Sequence, residues 1–142
     1  MRQASIYSRR FKANVFKAAA IERWEDARCL GAADRFQGAI YLCGYALECE
    51  LKFRVCLDRG ISHLEEAEAK RLGHQLLELL DAAGLSGPLT RKRDLWVAFQ
   101  AIARRWSTEI RYTGGRGNKA ECERFLRDTN WLLIWLRTES KS

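Results

Sequence analysis

The chain has 142 residues, of which 47% are hydrophobic and 30% charged, and its formal net charge is +7. This length and hydrophobic fraction predict one folded domain with a core and exclude a disordered chain. No apolar run approaches the roughly 20 residues that a membrane-spanning helix needs, and residues 1–10 lack the apolar segment of a signal peptide. We therefore expect a cytoplasmic protein with no membrane partner, in which a basic segment at 1–10 precedes a single helical domain at 11–139.

Positive charge is concentrated in two stretches. Residues 1–17 contain five basic and no acidic side chains, and residues 91–116 contain seven basic and two acidic ones. Such stretches on a mildly acidic body suit a polyanion such as RNA, or an acidic partner protein. Solubility alone is the alternative explanation.

The five cysteines predict buried thiols. Their number is odd, there is no CxxC pair, and neither histidine stands near a cysteine at zinc-ligand spacing. Cysteine that acts as a small buried hydrophobe is the simpler interpretation. We expect no metal site, and no motif indicates a cofactor.

Helical periodicity predicts an all-α fold, an antiparallel bundle of four to five helices. The first helix covers about residues 10–30 and ends near Gly31. The second begins at Asp34, which together with Gln37 has the pattern of a capping box. It continues to Gly60, a residue type that commonly ends helices.

The second predicted helix is apolar almost all the way round, as in the buried centre of a bundle. One stripe differs, because Tyr41, Tyr45, Glu48 and Lys52 follow one another at helical spacing. Glu48 and Lys52 have the order that favours an ion pair. Burying such a pair costs free energy unless it is partnered, so the pair is either a salt bridge at the bundle edge or part of a functional site.

A polar helical turn leads into the third main helix. Its leucines Leu76, Leu77 and Leu80 are expected to face the core, and Gly84 is expected to end it. His74 stands at its start. It is interpreted either as an ordinary helix-start residue or as a weaker candidate for catalysis.

Residues 104–116, RRWSTEIRYTGGR, are the basic end of the fourth main helix. This helix begins at Asp94, and its apolar face is expected to reach Ile110 before the glycines end it. At helical spacing Arg105 and Tyr112 share a polar face. Arginines near a helix C-terminus also stabilise the helix dipole, which accounts for one or two of them.

The last helix is expected to be capped by Asn118 with Glu121. Its apolar stripe consists of Cys122, Phe125, Leu126, Thr129, Leu132, Leu133 and Leu136. Trp131 and Trp135 lie outside that stripe. They predict either a second packing face or a patch for a partner subunit.

Four segments, in this order, resemble a known family: GAIYLCGYALECELKFRV, GHQLLELLDAAGL, WSTEIRYTGG and ERFLRDTNWLLIWL. Together they are similar to a prokaryotic HEPN domain over roughly residues 15–137. The resemblance implies a helical bundle that forms a homodimer and belongs to a toxin–antitoxin or defence module. Many members of the family cut RNA without metal, and some pair with a minimal nucleotidyltransferase as antitoxin.

The family's ribonuclease signature is an arginine followed four to six residues later by a histidine, sometimes with a tyrosine two positions further on. Arg105 and Tyr112 match its outer positions, but Ile110 stands where the histidine would be. Cleavage through the 2′-hydroxyl needs a proton acceptor and a donor, whereas arginine stays charged. The segment therefore predicts a phosphate-binding site better than a hydrolytic one.

Three functions remain open. The first is a component of a toxin–antitoxin or defence module that binds RNA, a nucleotide or a partner protein through a basic cleft around Arg105 and Tyr112. The second is an active ribonuclease that uses Arg105, Arg111 and Tyr112, with weaker contributions from Glu48 and His74. The third is a non-catalytic scaffold for protein contacts. The residues expected to bind phosphate or nucleic acid are Arg104, Arg105, Arg111, Arg116 and Lys52.

We also expect the homodimer to bring two Arg105–Tyr112 segments toward a shared cleft, with Trp131 and Trp135 contributing to its packing. Within each protomer, the hydroxyl of Tyr112 is expected near Arg105 and near the stripe of Glu48.

Overall fold

The computed structural model describes residues 11–106 and 117–138, and seven helices occupy most of them. In chain order these are α1 (Ala13–Ala32), α2 (Phe36–Arg59), α3 (Glu66–Leu72), α4 (Leu76–Ala82), α5 (Ser86–Thr90), α6 (Arg93–Arg105) and α7 (Lys119–Thr138). The only pairing of extended backbone in these ranges is an isolated antiparallel bridge between Lys12 and His63. The all-α fold class is confirmed for this part of the chain. None of its helices is long and apolar enough to cross a bilayer.

The helices outnumber the four to five predicted because three of them are short. α3 and α4 have seven residues each and α5 has five. α5 forms in the stretch LSGPLTRKR, where glycine and proline suggest a linker. Pro88 occupies the first turn of α5, where its missing N–H has no intrahelical partner to lose. The glycine and proline therefore permit a short helix here.

α2 lies at the centre of the molecule, as its composition predicts. Thirteen of its 24 residues are buried. α1 packs along most of its length, and α7 and α4 cover other sides. Fully buried leucines such as Leu47 and Leu51 each stabilise the fold by about 1.5–3 kcal/mol relative to exposure. One hydrophobic core around α2 therefore holds the described helices together.

The helices around α2 run in different directions. α1 and α2 follow each other across a short turn and form an antiparallel hairpin. α7 runs in the same direction as α2, because Thr129 lies beside Cys43 and, further along both helices, Arg137 donates a hydrogen bond to Glu50. The predicted antiparallel arrangement thus holds for α1 and α2 but not for α2 and α7. The chain between them, α3 to α6, returns α7 to the starting end of α2.

The turn between α1 and α2 differs from its prediction. α1 ends close to Gly31 as expected, but this glycine lies inside the last turn, where a Cβ would come within 2.9 Å of Leu126 Cδ1. It gives α7 room to pack. The capping box of Asp34 and Gln37 is wrong: Asp34 has a φ of 61°, and α2 begins after Arg35 with no side-chain hydrogen bond at its N-cap.

The remaining helix ends and faces largely follow the sequence. α2 ends at Gly60 and α4 is followed by Gly84, both with positive φ. In α4, Leu76 and Leu80 are buried as predicted, but Leu77 is exposed. Leu79 takes its place in the core, because positions three and four after Leu76 lie on the same side of the helix, whereas Leu77 is turned about 100° away.

α7 has the N-cap that the sequence predicts, but its two tryptophans have different environments. Asn118 Oδ1 accepts a hydrogen bond of 3.0 Å from the backbone N–H of Glu121, which confirms the predicted cap. Trp135 is buried in the core, whereas Trp131 is 44% exposed and lies one turn from the exposed Ile134. The expected pair is therefore divided between the core and the surface.

All five cysteines are free, and four of them are buried. Burial raises the pKa of the thiols of Cys43 and Cys49 to about 12. These groups stay protonated at neutral pH and pack as small apolar side chains. The interpretation as buried thiols is confirmed for all but Cys29, which is exposed.

α6 ends earlier than its apolar pattern predicts. Its last residue is Arg105, and Trp106 has an extended backbone with a ψ of 131°. Trp106 is buried, and its indole Nε1 donates a 2.8 Å hydrogen bond to the carbonyl oxygen of Tyr41. This tertiary contact holds Trp106 against α2, where the described part of α6 ends. Tyr112 lies outside the described residues, so the shared face of Arg105 and Tyr112 stays a prediction. Ile110 lies outside the described residues.

We predict that Gly44→Ala destabilises the fold whereas Gly38→Ala in the same helix does not. A Cβ on Gly44 would overlap the indole ring of Trp106, and overpacking of this kind costs about 1–3 kcal/mol. A Cβ on Gly38 would meet one flexible carbon, Leu30 Cδ1, at 3.2 Å, while alanine favours the helix by up to about 1 kcal/mol. Urea unfolding followed by circular dichroism measures both. Equal free energies of unfolding for the two variants would contradict this packing.

Candidate functional site

A buried carboxylate on α2 connects three residues that the sequence marks as candidates. Glu48 is 2% exposed. Its Oε1 accepts a 2.6 Å hydrogen bond from His74 Nδ1, and its Oε2 accepts one of 3.0 Å from Lys52 Nζ. His74 is 26 positions away from Glu48 along the chain. The structure thus assembles Glu48, Lys52 and His74 into one cluster.

Local geometry explains how the cluster forms. Glu48 and Lys52 are one turn apart on α2, where side chains meet directly. His74 lies in the turn between α3 and α4, just after Gly73, whose positive φ of 55° redirects the chain toward α2. A buried carboxylate costs free energy unless cations and donors compensate it. Lys52 and His74 provide that compensation from two different elements.

The ring of His74 is held on one side and open on the other. Its side chain is 52% exposed, and no described residue bonds to Nε2. A carboxylate at Nδ1 fixes the orientation and the tautomer of an imidazole. The free Nε2 can then accept or donate a proton. The arrangement is a histidine–carboxylate dyad with one nitrogen facing solvent.

An aromatic row continues from this cluster along α2. The ring centroids of Tyr45 and Tyr41 are 6.1 Å apart, and those of Tyr41 and Trp106 are 6.3 Å apart. At about 1.5 Å of rise per residue, Tyr41 lies about 10 Å from Glu48 along the helix. Burial, and secondly the charge of Glu48, raise the pKa of Tyr45. Its phenol therefore stays protonated and can donate a hydrogen bond.

These side chains belong to one surface, which we name the polar α2 face. At 100° per residue its members lie within an arc of about 100°. They are Gln37, Tyr41, Gly44, Tyr45, Glu48 and Lys52, with His74 adjoining from the turn before α4.

The two residues that flank the basic segment 107–116 contact the polar α2 face. On one side, the indole of Trp106 lies against Gly44. On the other side is Gly117, which has a φ of 84°, and a Cβ on it would come within 2.7 Å of the backbone nitrogen of Gln37. The chain therefore leaves and rejoins the described structure at the N-terminal half of α2. Of the predicted site residues, Arg111, Tyr112 and Arg116 lie in this segment, outside the described residues.

Arg105 has a specific partner on α7. Its Nη2 is 2.9 Å from both carboxylate oxygens of Glu121, which ties the end of α6 to the start of α7. It lines a cleft of about 190 Å³ together with Arg124 and Asp128. The described part of this cleft carries charges of both signs. Arg104, the neighbouring candidate, is exposed in the last turn of α6.

The other histidine has a different environment. His63 is exposed and bonds Glu65 through Nε2 at 3.2 Å, at the edge of a cleft of about 530 Å³. Within residues 11–106 and 117–138, no group of three or more His, Cys, Asp or Glu side chains is arranged to hold a metal ion.

Comparisons with protein-family models, with curated proteins and with solved structures return no match for this chain.

We predict that Glu48 and His74 are energetically coupled, whereas an exposed pair of the same residue types is not. Removing one partner leaves the other without its hydrogen bond, so the effects of Glu48→Gln and His74→Ala on the free energy of unfolding should be non-additive by about 1–3 kcal/mol. The exposed pair of His63 and Glu65 is the matched control, with an expected coupling below about 1 kcal/mol. Double-mutant cycles in urea measure both couplings. Equal values would argue against a structural role for the buried pair.

Proposed function

We propose that this chain is a HEPN-like RNA-binding protein of a prokaryotic toxin–antitoxin or defence module. RNA binds along the polar α2 face, between His74 at one end and the basic residues of 104–116 at the other. The observation that carries this proposal is that Trp106 and Gly117, which flank the segment 107–116, both contact that face. The family assignment rests on the sequence resemblance alone.

The chemistry of the face suits a single-stranded polyanion. Lys52 and His74 provide donors at one end, and arginines neutralise phosphate charge at the other. The half-buried rings of Tyr41 and Tyr45 lie between them, and tyrosine rings are common platforms for unpaired bases. Positively charged groups thus stand on both sides of the rings, so that one strand could place phosphates on the charges and bases on the rings.

The resemblance adds two expectations about assembly. A homodimer would bring two basic segments toward a shared cleft, with the exposed Trp131 available for its packing. A nucleotidyltransferase antitoxin would be the partner protein. Binding of a free nucleotide, or of the partner alone, is the alternative to RNA.

We predict salt-dependent RNA binding that depends on the basic segment. Each phosphate contact to a single strand contributes about 0.7 to the slope of log K against log salt. Arg111→Ala and Arg116→Ala should therefore each reduce the slope by about 0.7 and weaken binding. Fluorescence anisotropy with a labelled single-stranded RNA at several salt concentrations measures this.

The matched control is Arg127→Ala, which removes the same charge from the outer face of α7, where Arg127 pairs with its neighbour Asp128. Arg105→Ala is a less specific test because it also breaks the contact with Glu121. RNA binding that is absent at low salt, or that Arg127→Ala weakens as much as Arg116→Ala, would contradict the proposal.

A second candidate function is metal-independent RNA cleavage, which the bond between His74 and Glu48 favours. In this scheme Nε2 of His74 accepts the proton of a 2′-hydroxyl, whose oxygen attacks the adjacent phosphorus. The bond to the 5′-oxygen breaks, that oxygen takes a proton from water, and the hydroxide so formed takes the proton from the imidazolium. Glu48 stabilises the imidazolium that forms. The arginines of the basic segment stabilise the charge on the phosphorus.

For this second function we predict cleavage in the presence of EDTA that leaves 2′,3′-cyclic phosphate ends. General acid–base groups contribute about 10²- to 10⁴-fold, so His74→Ala should reduce the rate by that factor while RNA binding persists. His63→Ala, which removes the exposed histidine, is the control and should leave the rate unchanged. Binding without cleavage, or equal loss in the two variants, would exclude His74 as the proton acceptor.

A further inference from the structure

A second buried carboxylate lies on the other side of α2. Glu50 is two positions after Glu48, about 200° further round the helix, and it is 1% exposed. Arg137 Nε, from the last turn of α7, donates a 3.1 Å hydrogen bond to its Oε1. Arg54 Nε lies 3.6 Å from its Oε2, an ion pair too long for a hydrogen bond. Two guanidinium groups therefore share one carboxylate.

Among the described residues, the cluster of Glu50, Arg54 and Arg137 has more hydrogen-bond donors than acceptors. Arg54 Nε and Arg137 Nη2 are buried and have no hydrogen-bond partner among residues 11–106 and 117–138. The side chain of Arg54 is only 8% exposed, and buried polar groups are almost always hydrogen-bonded. Burial lowers the pKa of Arg54. Within this described part of the chain, two cations against one anion leave one positive charge uncompensated at this place.

Neighbouring side chains add positive charge to the cluster, and one of its members is partly exposed. Arg54 lies over one ring, Phe53, at 5.7 Å from its centroid, and Lys17 Nζ from α1 lies 5.4 Å from the same centroid. The side chain of Arg137 is 35% exposed, so one side of the cluster borders solvent. An arginine fork binds oxyanions through two parallel hydrogen bonds.

We propose that this cluster is a binding site for a phosphate group, held by Arg54 and Arg137 with Glu50 as their common anchor. A phosphate group supplies several acceptors for the unpartnered N–H groups, and its negative charge offsets the excess positive charge. The ligand is free inorganic phosphate or the phosphate of a nucleotide. This site is separate from the polar α2 face and does not depend on the RNA-binding proposal.

Isothermal titration of the full chain with inorganic phosphate tests the proposal, with sodium chloride at matched ionic strength as the reference. Phosphate should bind at millimolar concentration or below and should raise the melting temperature, whereas chloride should not. Titration with adenosine monophosphate distinguishes the sources: tighter binding than phosphate identifies a nucleotide, and weaker binding identifies the free ion. Acetate that binds as tightly as phosphate would contradict a site that selects phosphate groups.

Three variants locate the site. Arg137→Gln should weaken phosphate binding by about tenfold or more, the loss expected for a charged hydrogen bond. Arg54→Lys keeps the charge but removes the unpartnered Nε, and it should also weaken binding. Arg127→Gln, an exposed arginine of the same helix, is the control and should bind as the parent does. Phosphate binding that is absent, that survives both cluster variants, or that is lost in Arg116→Ala would overturn the proposal.

Discussion

The structure depends on the compensation of two carboxylates that are buried on opposite sides of α2. Glu48 and Glu50 are almost fully inaccessible, and a buried carboxylate that loses its partners destabilises a protein strongly. Apolar packing explains why α2 is central, but many rotations of an apolar helix bury similar area. The charged pairs are specific: Glu48 requires His74 before α4, and Glu50 requires Arg137 at the end of α7. They thereby define how those elements sit against α2.

The same constraint produces the candidate sites. To reach Glu48, the ring of His74 must lie at the surface with one nitrogen held and the other open. One face then carries that ring and the tyrosines of α2. Trp106 and Gly117, which flank the basic segment, contact the same face. On the other side, the arginines that neutralise Glu50 exceed it in number, so positive charge and unpartnered donors remain. In both places we propose that groups required for stability also bind an anion.

Local features were predictable from sequence, whereas contacts between distant positions were not. The all-α class, the central helix and the pair of Glu48 and Lys52 follow from residues a turn or two apart. The bond from His74 to Glu48 joins positions 26 apart, and no local pattern indicates which apolar helix His74 will approach. The end of α6 is another such case. The periodicity of its apolar residues continues past Trp106, but the space above Gly44 accepts the indole and the backbone becomes extended there.

Nuclear magnetic resonance of the ¹⁵N-labelled protein, titrated with a short single-stranded RNA, tests the central claim most directly. The indole N–H of Trp106 reports on the polar α2 face, because it donates to Tyr41 where the basic segment begins. The indole of Trp131, exposed on the outer side of α7, is an internal reference. RNA should shift the signals of Trp106 and of the amides of Tyr41 and Tyr45 and leave Trp131 unchanged. Shifts confined to Trp131 and its neighbours on α7, with Trp106 unaffected, would contradict the account.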